Sequence, residues 1–262
     1  MKYSQFRCDK HINEIFHRNI YVNISEIKSC PSISVIIPCY NEAENIPLLV
    51  EGIDRVFKEG VKGDYECILV DDGSNDSTPE VIESLKSSYP CIVPIRLKKN
   101  SGQSYALYKG LKFARGEYII ILDGDLQNDP NDIPKLLDKL QTVDFVQGYR
   151  EERKDDWLRT WISRQANRII RWLLDNPVRD TGCALKAMRR ACIEYIIPFN
   201  GSHRYYAFLV HSAGFCVAEI PVAHNPRKYG TSKYNISGRL FKTLFDILGL
   251  FWWKKRVLRR GE

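Results

Sequence analysis

The chain has 262 residues, 44% of them apolar, which is enough to bury one large core and argues against a disordered or disulfide-stapled protein. Its net charge of +7 is concentrated near one end: from Arg227 onward, ten basic residues face two acidic ones among Leu, Phe and Trp, a mixture that suits an anionic membrane surface better than nucleic acid. The longest apolar run, about seven residues from Ile247 to Trp253, falls far short of the roughly twenty a spanning helix needs, so no transmembrane helix is expected, and Met1 to Ile20 does not have the pattern of a signal peptide.

From Ser32 the pattern is regular. An apolar run at 32–38 precedes a helical pattern near 43–59. A second run at 65–70 leads to a helix opened by Ser77-Thr-Pro-Glu80, where proline fits the first turn. Then follow a strand at 91–95, a helix from about 102 to 115 closed by Gly116, a strand at 118–122, a short helix near 132–140 and a strand at 144–150. Strands of continuous apolar character alternating with helices predict an α/β fold, a mostly parallel sheet covered on both faces. Beyond 235 the pattern predicts an amphipathic helix, with Leu240, Leu244, Leu248 and Phe251 on one stripe and Arg239, Lys242 and Asp246 on another side.

Ligands of such sheets sit beyond the carboxyl ends of the strands. Three of those ends are polar or acidic: Pro38-Cys-Tyr-Asn-Glu42, Asp71-Asp-Gly-Ser74 and Asp123-Gly-Asp125. Residues two apart in extended chain point to the same side, so Asp123 and Asp125 are expected to lie together. Paired carboxylates repel, and a hard divalent cation relieves the repulsion; Mg²⁺ takes few protein ligands and leaves positions for phosphate oxygens and water. Mg²⁺ and Mn²⁺ suit such oxygen donors equally. A divalent metal and a phosphorylated substrate are therefore expected.

The stretches "VIIPCYNEAENI" (35–46), "VDDGSNDST" (70–78) and "NSGQSYALYKGLKFARGEYIIILDGDLQNDP" (100–130) resemble the GT-A fold (Rossmann-like) glycosyltransferases of family 2, which use nucleotide-diphosphate sugars. "GYREERKDDWLRTWISRQANRII" (148–170), "DTGCALKAMRR" (180–190), "HRYYAFLVHSAGF" (203–215) and "PRKYGTSKY" (226–234) narrow the likeness to the polyprenyl-phosphate glycosyltransferases, the group containing dolichyl-phosphate mannose synthase and bacterial undecaprenyl-phosphate sugar transferases. The resemblance implies a catalytic domain over 31–234, with a nucleotide-sugar half at 31–130 and an acceptor half at 131–234, followed by a basic amphipathic helix at 235–262. Residues 1–30 have no recognised counterpart.

By motif match, Pro38, Tyr40, Glu42 and Asp72 would hold the base and ribose, and Asp71 would either join them or serve a structural role at its strand end. Asp123 would lie near the ribose and diphosphate, and Asp125 and Gln127 would bind the metal. Arg227, Ser232 and Lys233 resemble a mobile loop that closes over the diphosphate, with Gly230 giving it backbone freedom. Arg150 and Arg159 align with acceptor-phosphate arginines, and His203 and Arg204 match a motif of the group, implying a phosphate-facing or loop-positioning role; a capping, structural role is the alternative for His203. Arginine suits phosphate because its planar fork binds it in bidentate fashion.

An acceptor phosphate is already anionic, so the implied reaction is an inverting single displacement that needs no strong general base. The implied location is peripheral, at the cytoplasmic face of a membrane, reached through the C-terminal helix. The alternative for that helix is packing on the domain or on a second subunit; a homo-oligomer or a separate membrane partner fits equally. Two other readings remain open: a family 2 enzyme acting on a sugar hydroxyl of a surface polysaccharide, and a nucleotide-sugar-binding protein without turnover. Eight cysteines without a C-x-x-C pair are expected to be reduced thiols, and Cys8, His11 and His17 lack a convincing fourth ligand for a zinc site.

Overall fold

The computed structural model describes residues 31–150, 171, 173–226 and 237–257, with side chains of the last segment described from Phe245 onward. Seven strands, β1 (Ile33–Cys39), β2 (Tyr65–Asp71), β3 (Ile92–Arg96), β4 (Tyr118–Ile121), β5 (Phe145–Arg150), β6 (Lys186–Arg189) and β7 (Val217–Val222), form one sheet in the order β3-β2-β1-β4-β6-β5-β7. Among the described helices, α1 is Ile46–Glu59, α2 Thr78–Ser88, α3 Gln103–Phe113, α4 Ile133–Lys139, α5 Tyr206–Ser212 and α6 Ser237–Lys254.

The predicted α/β fold with a mostly parallel sheet is what the chain adopts. β1 pairs in parallel with β2 and β4, β2 with β3, and β5 with β7; β6 alone runs antiparallel to both of its neighbours. The side-chain period of two sorts the strands onto two core faces. Val35, Ile37, Leu69 and Ile120 pack with α1 and with Ile133 and Leu136, whereas Ile36, Ile68, Val70, Ile119 and Ile121 pack with α3 and α5. Gly110 of α3 lies so close to Ile36 that a Cβ there would overlap the isoleucine methyl, which fixes how tightly the helix seats on β1.

Two strands were not foreseen. "KAMR" in β6 has no β-branched residue and carries helix formers, yet it is inserted between β4 and β5, with Lys186, Ala187 and Met188 buried. β7 contains Pro221, which a sheet tolerates at its margin, and β7 is one of the two edge strands. The carboxyl ends of β1 to β5 and of β7 all lie on one edge of the sheet, and the start of β6 joins them there, Lys186 being in register with Ile121 and Gln147.

Helix α6 is docked on the domain by a side other than the stripe expected to meet a membrane surface. Ile247 and Leu250 enter the core, Trp253 meets Phe208 edge to face at 6.0 Å, and Lys254 bonds Asp175 at 3.0 Å. Leu248 and Phe251, assigned to the apolar stripe with Leu240 and Leu244, face outward together with Phe245 and Trp252. The helix is apolar on two sides, so the stripe chosen from spacing was only one of two. No described helix is long and apolar enough to cross a membrane.

Candidate active site

The loop after β1 and the loop after β2 are laced together by side chains typical of turns. Asn41, in a left-handed conformation (φ 57°), donates its backbone N–H to Ser74 Oγ at 2.9 Å, and its Oδ1 accepts the N–H of Asn75. The Glu42 N–H donates to Thr78 Oγ1, and Glu42 Oε2 accepts from Asn45 Nδ2 at 2.5 Å. Tyr40 on this loop and Pro38 near the end of β1 are half-buried. Left-handed non-glycine residues are uncommon and concentrate at functional loops.

The paired aspartates of the second loop divide the work. Asp72 uses both oxygens on backbone, accepting from the N–H groups of Ser101 at 2.7 Å and Gly102 at 2.8 Å, so it anchors the start of α3. Burial pushes its carboxyl above the usual range, with those two donors pulling the other way. Asp71, 2% exposed, accepts the Ser74 N–H on Oδ1; its Oδ2 is buried without a hydrogen bond, 3.5 Å from Arg96 Nε. Gly73 (φ 69°) makes this turn possible, since a Cβ would sit 2.5 Å from the Lys99 carbonyl carbon. Beside it lies an open groove of about 680 Å³ lined by Gly73, Ser74, Asn75, Arg96, Lys98 and Lys99. Arg96 also borders a smaller hollow of about 260 Å³ that reaches Asp71. Arg96 was not among the residues singled out in the sequence; a lone arginine at a strand end carries no pattern.

Asp123 and Asp125 follow β4, but the chain turns at once, and Leu126 is left-handed (φ 61°). Strand alternation therefore does not set the two carboxylates' directions. Gln103 Nε2 donates to Asp123 Oδ1 at 2.6 Å, and the Gln127 N–H reaches Asp125 Oδ1 at 3.2 Å. Asp125 is 6% exposed. A Cβ at Gly124 would lie 3.3 Å from the Pro38 oxygen and 3.5 Å from Glu42 Cγ, so the acidic turn rests directly on the first loop. Pro38, Glu42, Asp123 and Asp125 are thus brought together.

The segment expected to form the acceptor half supplies the other side. Arg150 ends β5 and holds Asp180 in a fork, Nε to Oδ2 at 2.8 Å and Nη2 to Oδ1 at 3.0 Å. Both are largely buried, at 17% and 8% side-chain exposure. Lys186, 3% exposed, donates to the carbonyls of Cys183 and Ala184, and Gln147 Nε2 donates to the same Cys183 carbonyl at 2.8 Å. Burial pulls the Lys186 ammonium below its ordinary value. This lysine was missed in the sequence because it belongs to the unforeseen β6. His203 Nδ1 is 2.8 Å from Ser104 Oγ, and Arg204 pairs with Asp246 of α6 at 3.1 Å.

The Asn225 N–H donates to the Gln127 carbonyl at 2.9 Å, and Asn128 bridges to His224, so the segment leading to 227–236 leaves from the acidic turn itself. Arg159, Arg227, Ser232 and Lys233 lie outside the described residues.

Residues 34–196 match the family model described as glycosyl transferase family 2. The chain belongs to that family. This family 2 glycosyltransferase shares its fold with the glucosyl-3-phosphoglycerate synthase of Mycobacterium tuberculosis, solved with Mn²⁺, UDP and phosphoglyceric acid: 18% identity over 94% of this chain and 87% of that one, TM-score 0.62. A mannosyltransferase from Pyrobaculum calidifontis, solved with GDP-Man and Mn²⁺, is 19% identical over 95% of this chain and 70% of that one, TM-score 0.57. The GT-A fold expected from the motifs is therefore the fold of this enzyme.

Proposed function

We propose that this glycosyltransferase moves a sugar from a uridine-diphosphate donor to a polyprenyl phosphate, with a divalent metal, at the cytoplasmic face of a membrane. Among the described residues no group of three or more His, Cys, Asp or Glu is placed to hold a metal without help. Asp123, Asp125 and the Gln127 amide are hard oxygen donors, with Asp125 buried at the strand-end edge, and they fit an ion that takes its remaining ligands from diphosphate and water. Asp125 and Gln127 would hold it, with Asp123 beside the ribose and diphosphate. When bound, such an ion neutralises the diphosphate and favours departure of the nucleotide. The neighbours solved with nucleotides and Mn²⁺ support this donor chemistry.

Uracil is favoured over guanine by the Asp71–Arg96 pair. Uracil offers one N–H flanked by carbonyl oxygens; guanine offers two adjacent donors that need two acceptor atoms. Asp71 has one oxygen engaged by Ser74 and the other beside a guanidinium, which gives one acceptor next to one donor. Arg96→Ala should then raise the KM for the UDP-sugar about tenfold and leave the acceptor KM unchanged, as steady-state kinetics will measure.

The observation that carries the acceptor assignment is the Arg150–Asp180 fork. A sugar hydroxyl would need a carboxylate to take its proton. Asp180, a buried carboxylate beside the end of β5, has both oxygens on the Arg150 guanidinium, so it is poorly placed as a base, whereas a guanidinium held rigidly at the strand ends suits a phosphate that is already anionic. Arg159 and His203 are proposed to complete the phosphate site, and Arg227, Ser232 and Lys233 to cover the diphosphate from the segment that leaves the acidic turn.

The test is transfer of labelled sugar from a panel of UDP- and GDP-sugars into an organic-extractable, mild-acid-labile product with undecaprenyl phosphate in detergent and Mn²⁺. Label in the lipid phase from a UDP donor supports the reading. Donor turnover without lipid product moves the assignment to a hydroxyl acceptor, and lipid product from GDP donors alone overturns the uracil assignment.

The outward face of α6 supports the membrane location. Phe245, Leu248 and Trp252 are 72%, 58% and 61% exposed, and Lys255 and Arg256 stand over the rings of Phe251 and Trp252 at 4.7 and 5.2 Å. Aromatic rings beside basic groups suit the lipid headgroup region. Leu248→Glu with Trp252→Glu should abolish co-sedimentation with vesicles containing phosphatidylglycerol; retained binding would overturn that role.

A further inference from the structure

Two adjacent residues at the start of α3 are each tied to a different part of the molecule. Gln103 Nε2 donates to Asp123 Oδ1 at 2.6 Å. Ser104, buried at 6% exposure, accepts the Gly201 N–H at 2.8 Å and meets His203 Nδ1 at the same distance. The turn that carries Gly201 and His203 is in turn held from the C-terminal helix. Arg204 Nη2 bonds Asp246 Oδ2 at 3.1 Å, both side chains about four-fifths buried, and the Arg204 guanidinium lies 5.4 Å from the Tyr205 ring. Gly201 is left-handed (φ 96°), and a Cβ there would come within 2.9 Å of Arg204 Nη2 and 3.4 Å of Asp246 Oδ2, so the backbone packs directly against this ion pair.

We propose that Gln103 is a positioning residue that fixes the plane of the Asp123 carboxylate, and that α6 sets its register through Asp246–Arg204 and His203–Ser104. A neutral amide donor suits the task. It orients a carboxylate without cancelling the charge that a metal or diphosphate-bound cation needs, which a lysine at the same place would do. Ser104 is the pivot: adjacent in the chain to Gln103 and bonded to the 201–203 turn, it transmits the position of that turn to the first helical turn of α3. Asp72 holds the residues just before that turn, at Ser101 and Gly102, leaving the Ser104 side as the part set from outside the donor half. Arg204, placed by motif among acceptor-phosphate residues, acts in this arrangement on the donor carboxylate from behind. Helix α6 would thereby join the membrane-facing surface to the donor site.

The inference rests on Asp123 and Asp125 serving a metal and donor, and the experiment separates the two. Mn²⁺ binding in the presence of UDP is measured by electron paramagnetic resonance for the full chain, together with kcat and donor KM. Asp125→Ala checks the underlying reading: if it binds Mn²⁺ as the parent does, the metal assignment fails. For the proposal itself, Gln103→Leu, of similar size, should weaken Mn²⁺ about tenfold with a melting temperature near that of the parent. Asp246→Asn and Ser104→Ala should each weaken Mn²⁺ severalfold in the parent and have almost no further effect in the Gln103→Leu background, because all three act on one carboxylate. A merely structural role would lower the melting temperature and leave the effects additive. Unchanged Mn²⁺ affinity in Gln103→Leu overturns the positioning role, and additive effects overturn the link to α6.

Discussion

Asp125→Ala should reduce sugar transfer by at least about a thousandfold while the protein stays folded. The carboxylate lies at the buried edge of the acidic turn and accepts the Gln127 N–H at 3.2 Å, and losing a hydrogen bond of that kind costs on the order of 1 kcal/mol. The catalytic cost is larger for a different reason. A group that fixes charge where the leaving diphosphate develops it acts mainly in the transition state, and removing one such group typically costs about 10²–10³ in kcat; on the proposed reading a metal ligand is lost as well. Asp125→Asn should fall between, since its amide oxygen still coordinates but brings no charge. The measurement is kcat and the Mn²⁺ concentration for half-maximal rate, beside circular dichroism of the melting transition. A variant that melts as the parent and transfers sugar within tenfold of it would remove Asp125 from the site.

Those two aspartates were legible in the sequence for a simple reason. A continuously apolar strand that ends in carboxylates needs a ligand or a turn to receive them, and three such ends in one alternating pattern mark the sheet edge at which the site is proposed. β1, β2, β4 and β5 were legible in the same way, since they are largely buried and contain apolar runs, and β3, only partly buried at the end of the sheet, was legible from its apolar residues Ile92, Val93 and Ile95. β6 was not, because Lys186, Ala187, Met188 and Arg189 have the composition of a helix and become a strand only by pairing between β4 and β5. With β6 went Lys186, whose ammonium is accommodated in the interior by two backbone carbonyls that no sequence pattern announces. The division of labour between Asp71 and Asp72 was also out of reach. Both are acidic and adjacent, and only the tertiary approach of Ser101 and Gly102 commits Asp72 to the backbone and leaves Asp71 toward Arg96. For α6 the sequence contained two apolar stripes of similar quality, and the choice between them depended on where Phe208 and the 201–205 turn stand in the folded chain.

Asp180→Ala should be the most destabilising single change in the acceptor half, by about 3 kcal/mol, because it leaves the Arg150 guanidinium largely buried without its carboxylate. It also removes the acceptor for the Gly182 N–H at 3.1 Å, loosening the turn whose carbonyls hold Lys186. Urea denaturation should show the loss as a lower midpoint with little change in slope. Stability and catalysis can then be separated by removing both charges. Breaking one partner of a buried pair is costly, whereas replacing both by apolar groups is often neutral, so Arg150→Met combined with Asp180→Leu should recover most of the lost stability. It should not recover transfer: if Arg150 receives the acceptor phosphate, the refolded double variant keeps its affinity for the uridine nucleotide and loses product formation by at least about a hundredfold. Recovery of activity along with stability would make the Arg150–Asp180 pair a purely structural tie and would place the acceptor site elsewhere on the strand-end edge.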